Sequence, residues 1–420
     1  MRLKNNFVLE TIGIFLLMYA ISPYNKMGGF KYYFLLFTIW FCSAYFYYPH
    51  SLKKILFGDK YIYACFWGVF LIIYAIIGRA QFLYGVSAIL LMNVGLVYLL
   101  YKELGWNIAI KRLGMACLLY YTVINVFTLI KLKVDPSISR MLAVTGTTID
   151  NIFELPFTAG FDHVYCMTIL ITCLTGLLIK RNIRRRAFVF LGALFASMLF
   201  ILKSGYTYAI LLSLVFVILA LIQMPNLKRN RYLLICLLIP VIIVGILMIP
   251  NVLSYMSDLL GGANTAMGSR IYDLKEILRG GSVAEERNAF VRLELYELSL
   301  ETWKTHFFLG VGGKIYTANG VVGGHSYVID LLAYYGLFGG IAFFSSMGIV
   351  FINIYKRENI LSRYLCVILW SEYIVQLIIN PGFSMADTAC MFVVVPCILN
   401  FCLNSTKRKI IPSSLGENRS

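Results

Sequence analysis

The sequence predicts an all-α polytopic integral membrane protein with about twelve transmembrane helices and one large extracytoplasmic helical loop. Three observations lead there. Hydrophobic residues fill 60% of the 420 positions and charged residues only 14%, far from the balance of a soluble globule. Apolar runs long enough to cross about 30 Å of hydrocarbon recur from one end of the chain to the other. The segments between them alternate between basic and charge-poor, the pattern that the positive-inside rule imposes on a multi-pass chain.

In order, the runs fall at 7–22, 32–48, 61–78, 82–101, 113–130, 161–179, 187–202, 205–223, 232–250, 333–355, 364–380 and 386–403. The first follows Arg2 and Lys4 with no small-residue cleavage site behind it, so it is expected to be a retained anchor with a cytoplasmic N-terminus. The expected inner loops carry Lys53, Lys54 and Lys60; Lys102, Lys111 and Arg112; Lys180, Arg181, Arg184, Arg185 and Arg186; Lys228, Arg229 and Arg231; Lys356, Arg357 and Arg363; and Lys407, Arg408 and Lys409. Both termini are then cytoplasmic, and the net charge of +17 is mostly an orientation signal facing anionic lipid. Nucleic acid is not an expected partner, because no soluble basic domain exists to bind it. The ten cysteines lie in or beside apolar runs and form no CxxC or Cys/His pattern, so they are expected to pack as small hydrophobes.

The chain divides into helices one to nine over 1–250, an extracytoplasmic loop over 251–332, helices ten to twelve over 333–403, and a polar cytoplasmic tail over 404–420. Within the loop, Ile271, Leu274 and Leu278 follow helical spacing from Ser269 and Arg270 until Gly280 and Gly281 stop them. Leu293, Tyr296, Leu300, Trp303 and Phe307 form an apolar stripe on a second helix, which Gly310, Gly312 and Gly313 end. The pair is expected to lie along the membrane surface and roof a cavity.

Candidate chemistry is sparse. Lys203, in a tight turn between two apolar runs, joins Arg270, Arg279, Arg287 and Arg292 as cations on the outer side. A guanidinium fork suits phosphate oxygens, although such residues also snorkel or pair with Glu285, Glu286 or Glu294. His325 sits where the loop enters an apolar helix. Histidine titrates near neutral pH and can take a proton from a hydroxyl, so His325 is a candidate general base, with a capping role as the structural alternative. Asp330 is a candidate supporting hydrogen-bond partner at the helix start. Asp162 and His163 mark a second boundary, and Glu10 and Glu372 lie inside runs, where they would bond to neighbouring helices. The outer loops hold no DxD pair, and the chain holds no GxSxG, HExxH or nucleotide-binding glycine loop. No metal or other cofactor is expected.

The array Ser269-Arg270, Arg292 with Leu293-Glu294-Leu295-Tyr296 and Leu298-Ser299-Leu300, Phe308-Leu309-Gly310-Val311-Gly312, and Gly324-His325-Ser326 through Tyr335-Gly336-Leu337 resembles the outer loop of the O-antigen polymerase and ligase superfamily. It is most similar to the Wzy-type polymerases of bacterial surface polysaccharides such as O-antigen and capsule. The match covers about 269–340 and, weakly, Leu202-Lys203-Ser204-Gly205, where the family often carries Ser-Arg and this chain has Lys203 before Ser204. The resemblance implies metal-independent glycosyl transfer at the outer face of the bacterial cytoplasmic (inner) membrane. The donor would be a glycan on undecaprenyl diphosphate, and the acceptor a sugar hydroxyl of a repeat unit on the same kind of carrier. It further implies His325 as catalytic base, Arg270 and Arg292 as catalytic stabilisers of diphosphate charge, Lys203 as a further diphosphate ligand, and a flippase and chain-length regulator as partners. A ligase that moves finished glycan to another acceptor shares these motifs. A polysaccharide flippase also has about twelve helices, but two related halves would be expected of a transporter and the chain shows no internal repeat.

Overall fold

The computed structural model describes residues 2–23, 25–77, 93–135, 138–139, 157–178, 187–222, 288–312, 322–356, 360–380 and 384–403. Among them all regular structure is helical. The apolar run expected at 232–250, the loop helix expected from Ser269, the residues Arg270, Arg279 and Arg287, and the tail from Asn404 lie outside these residues, as does most of the run at 82–101.

Helices α1 (Arg2–Ile21) and α2 (Asn25–Tyr47) pack on each other. Next comes α3 (Pro49–Lys53), with proline in its first turn where no backbone N–H bond is lost. It runs into the π-helical segment Lys54–Gly58, so Lys53 and Lys54, expected in a loop, are helical. Lys60, at φ 57°, turns the chain through a 3-10 segment (Tyr61–Cys65) into α4 (Phe66–Ile76), and the whole is bent by 71°. Then follow α5 (Gly95–Glu103), α6 (Asn107–Val134), α7 (Phe161–Leu178), α8 (Ala187–Ser204) and α9 (Thr207–Ile222). The loop helix is α10 (Asn288–Thr305), and α11 (Tyr327–Tyr355) and α12 (Ile360–Ile379) follow it. In α13, Met385–Ala389, the π segment Cys390–Val394 and Val395–Leu403 run on without a break.

Among the described residues α6, α7 and α11 are each long and apolar enough to cross a membrane, and the bent pair around Lys60 would make a fourth span. Shorter apolar helical stretches are Phe7–Ile21, Phe188–Ser204, Tyr208–Ile222 and Met385–Asn400. The periphery carries bare aromatic side chains: Phe46 is 80% exposed and Phe188 86%. Apolar surface on this scale suits a lipid environment rather than water.

The centre of the bundle is α7. Every residue from His163 to Leu174 is buried, as expected of a helix that is apolar on all sides, and it packs against α8, α9, α12 and α13. Three polar side chains inside form a chain: Asn125 Nδ2 donates to Ser197 Oγ at 3.1 Å, and His163 Nε2 lies 2.8 Å from Asn125 Oδ1. His163 is therefore a core histidine, with the rings of Tyr121 and Phe200 against it. Glu10 meets Arg112 at 3.3 Å, and Glu372 is buried beside Thr168 and Thr172.

Candidate functional site

Gly336 breaks α11. Its φ of 68° and ψ of −169° lie outside the helical region, so two hydrogen bonds, from Leu337 to Ala333 and from Phe338 to Tyr334, cannot form. The turn after α10 takes up all four freed groups. Leu337 N donates to Phe307 O at 2.8 Å and Phe338 N to Phe308 O at 3.3 Å. In return Val311 N donates to Ala333 O at 3.0 Å and Gly312 N to Tyr334 O at 2.8 Å. A broken helix in an apolar bundle is tolerable only when its backbone is satisfied in this way.

The two glycine-bearing motifs, Phe308-Leu309-Gly310-Val311-Gly312 and Tyr334-Tyr335-Gly336, thus meet backbone to backbone. A Cβ at Gly310 would strike the Tyr334 carbonyl, and one at Gly336 would strike the Phe308 carbonyl. Both glycines also have positive φ, 66° and 68°. Tyr74 of α4 donates its hydroxyl to Leu309 O, and its ring and that of Trp67 pack edge-on against Tyr335.

Six residues before the break, Asp330 organises the start of the same helix. The side chain is 8% exposed. Its Oδ1 accepts from Ser299 Oγ at 2.6 Å and from Gly324 N at 3.3 Å, and its Oδ2 accepts from Ser326 N at 3.1 Å. Ser326 is the N-cap and accepts from Ile329 N at 3.2 Å, while Asp330 reaches back to the N-cap's own N–H, a variant of the capping box. Ser299 in turn accepts from Gly323 N at 2.8 Å, and a Cβ at Gly323 would strike the Leu295 carbonyl oxygen. One carboxylate therefore ties α10 to α11 and holds the backbone on both sides of His325.

His325 is half-buried, with Nδ1 3.0 Å from the Gly324 carbonyl oxygen. A carbonyl can only accept, so Nδ1 carries the proton and donates it. In the neutral ring Nε2 then holds the lone pair, the state a general base requires.

The sequence-predicted cations are distributed unevenly. Arg292 lies on α10, two turns before Ser299, and only its backbone is described. Lys203 is exposed in the last turn of α8, ahead of Gly205 at φ 68°; α8 packs against α6 and α7 rather than forming the α10–α11 junction. Arg270 lies outside the described residues. The buried face of α10 differs from the expected stripe: Leu293 is 48% exposed and Phe307 40%, whereas Ser299 is fully buried. Hydrogen bonds to Asp330 and Gly323 bury the serine face, and the ends of the stripe turn outward while Tyr296, Leu300 and Trp303 are half-buried. Tyr74 was not singled out from the sequence, and Ser299 was named only within the motif Leu298-Ser299-Leu300 with no role given it, since a serine among leucines and a tyrosine in an apolar run carry no periodic signal.

Among the described residues no three His, Cys, Asp or Glu side chains converge on a metal-sized site. No protein-family profile matches the chain, and no curated protein matches it.

Proposed function

We propose that this chain is a multi-pass polymerase of lipid-linked glycan, with about twelve spans, both termini in the cytoplasm of a bacterium and the α10–α11 junction at the outer face of its inner membrane. The observation that carries the reading is the docking of α10 on the start of α11. The helix bearing Arg292 is fixed by Ser299 to Asp330, the residue that also fixes the backbone around His325. A base and a diphosphate-binding cation then come from two elements whose separation is set by hydrogen bonds to one carboxylate, as pre-organised catalysis requires.

In this reading His325 Nε2 takes the proton of an acceptor sugar hydroxyl as that oxygen attacks the donor's anomeric carbon. The bond from that carbon to the diphosphate oxygen breaks, and undecaprenyl diphosphate leaves with the electron pair. Arg292 and Arg270, with Lys203, stabilise the charge that develops on the phosphate oxygens. The energy comes from the glycosyl diphosphate bond, so no nucleotide is consumed.

The purified protein, placed in vesicles with lipid-diphosphate repeat units from its source, should build a ladder of chain lengths. The same amount of His325→Ala should build none, and Arg292→Lys should be slowed at least tenfold, because a point charge replaces a bidentate fork. Absence of a ladder, with transfer of preformed polymer to another acceptor, would make the protein a ligase.

A further inference from the structure

Beside the start of α11 the ends of α7, α12 and α13 leave a small cleft lined by Phe161, Tyr165, Tyr373, Gln376, Asn380 and Asp387. It adjoins the junction directly, for Tyr327 N, two residues after His325, donates to the Asn380 carbonyl at 2.8 Å. The α10 helix reaches the same end of α12, where Tyr296 Oη donates to the Ile379 carbonyl at 3.0 Å.

The polar groups of the cleft are complementary to a neutral hydroxyl. Asn380 is 4% exposed, yet its Nδ2 has no hydrogen-bond partner, which leaves a buried donor in want of an acceptor. Gln376 Nε2 donates to Thr168 Oγ1 at 2.5 Å, so its amide oxygen remains to accept. A cation has no lone pair to offer the Asn380 donor, and an anion would be repelled by the Asp387 carboxylate, which already accepts from Ser384 Oγ at 2.7 Å and Cys166 Sγ at 3.2 Å. A hydroxyl both donates and accepts. The space admits a group of about that size, and the surrounding rings of Phe161, Tyr165 and Tyr373 offer faces to the C–H groups that accompany it on a sugar.

We propose that this cleft holds a hydroxyl of the acceptor sugar and so positions the incoming repeat unit beside His325, an assignment that rests on the polymerase reading above. Asn380 and Gln376 are the specificity-determining pair.

Asn380→Leu and Gln376→Leu each remove one polar group at nearly constant volume, and the first leaves intact the backbone carbonyl that Tyr327 uses. In vesicles supplied with a pre-elongated lipid-linked chain as donor and single lipid-diphosphate repeat units as acceptor, each variant should raise the half-saturating acceptor concentration on the order of tenfold. The half-saturating donor concentration and the thermal midpoint should stay as in the unaltered protein. Should Asn380→Leu fail to fold, Asn380→Asp, which also removes the donor, is measured in the same way. A ladder formed with unchanged acceptor dependence in both variants overturns the subsite and leaves the polymerase standing, and so does a fall in kcat alone. No ladder from the unaltered protein overturns the polymerase reading and the subsite with it.

Discussion

Asp330 stands within the first turns of an apolar helix, where an ionisable group is costly unless its acceptor sites are filled. Three donors fill them: the Ser299 hydroxyl and the backbone N–H groups of Gly324 and Ser326. Asp330→Ala therefore strands three buried or half-buried donors at once and should lower unfolding stability by about 3 kcal/mol, whereas Ser299→Ala removes one bond and should cost about 1 kcal/mol. Thermal unfolding of the detergent-purified variants checks the order, and equal effects would deny Asp330 its organising role. At this scale the sequence suggested roles for His325 and Asp330, whereas the third member, Ser299, stood only inside the motif Leu298-Ser299-Leu300 with no role. Nothing local distinguishes Ser299 from any other serine on a helix; its importance exists only once Gly323 and Asp330 are folded against it.

The break in α11 is a property of two elements together. Gly336 and Gly324 both have positive φ, 68° and 73°, yet their surroundings differ. A side chain at Gly336 meets the Phe308 backbone, while one at Gly324 meets nothing within 4 Å. Gly324→Ala should thus cost only the left-handed conformation, about 1–2 kcal/mol, and leave the loop docked. Gly336→Ala adds a backbone collision, and release of 307–312 would strand the four groups of the broken helix. Limited proteolysis should cut the Gly336→Ala protein within 306–312 at least tenfold faster than the Gly324→Ala protein, and equal rates would show that the paired glycines do not hold the loop. The glycine clusters were visible in the sequence as helix ends. That one cluster completes the hydrogen bonds of the other was not, because 24 residues separate Gly312 from Gly336 and no spacing rule spans such a gap. The stripe on α10 was only partly right for a related reason: periodicity finds the apolar face, of which Tyr296, Leu300 and Trp303 are half-buried, but buried hydrogen bonds put Ser299 deepest.

For the whole molecule, orientation follows from charge. The basic segments that alternate along the chain predict that a reporter fused near Glu285 is extracytoplasmic and one fused after Lys409 cytoplasmic. Alkaline phosphatase and fluorescent-protein fusions measure this, and both reporters on one side would overturn the span count and the outer position of the α10–α11 junction. Composition and the length of the apolar runs were enough, by themselves, to determine the helical class and its apolar, lipid-suited surface, because the bilayer admits few ways to satisfy a backbone and each run must satisfy its own. They also brought out the residues around His325, since a polar cluster is conspicuous against an apolar chain. Tertiary structure alone decided which of those residues meet: that Ser299 reaches Asp330, that Gly310 faces Gly336, and that Asn380 opens a cleft two residues from His325. Such contacts join segments tens of residues apart, and their energy comes from buried donors finding acceptors, a matter of position that residue type does not encode.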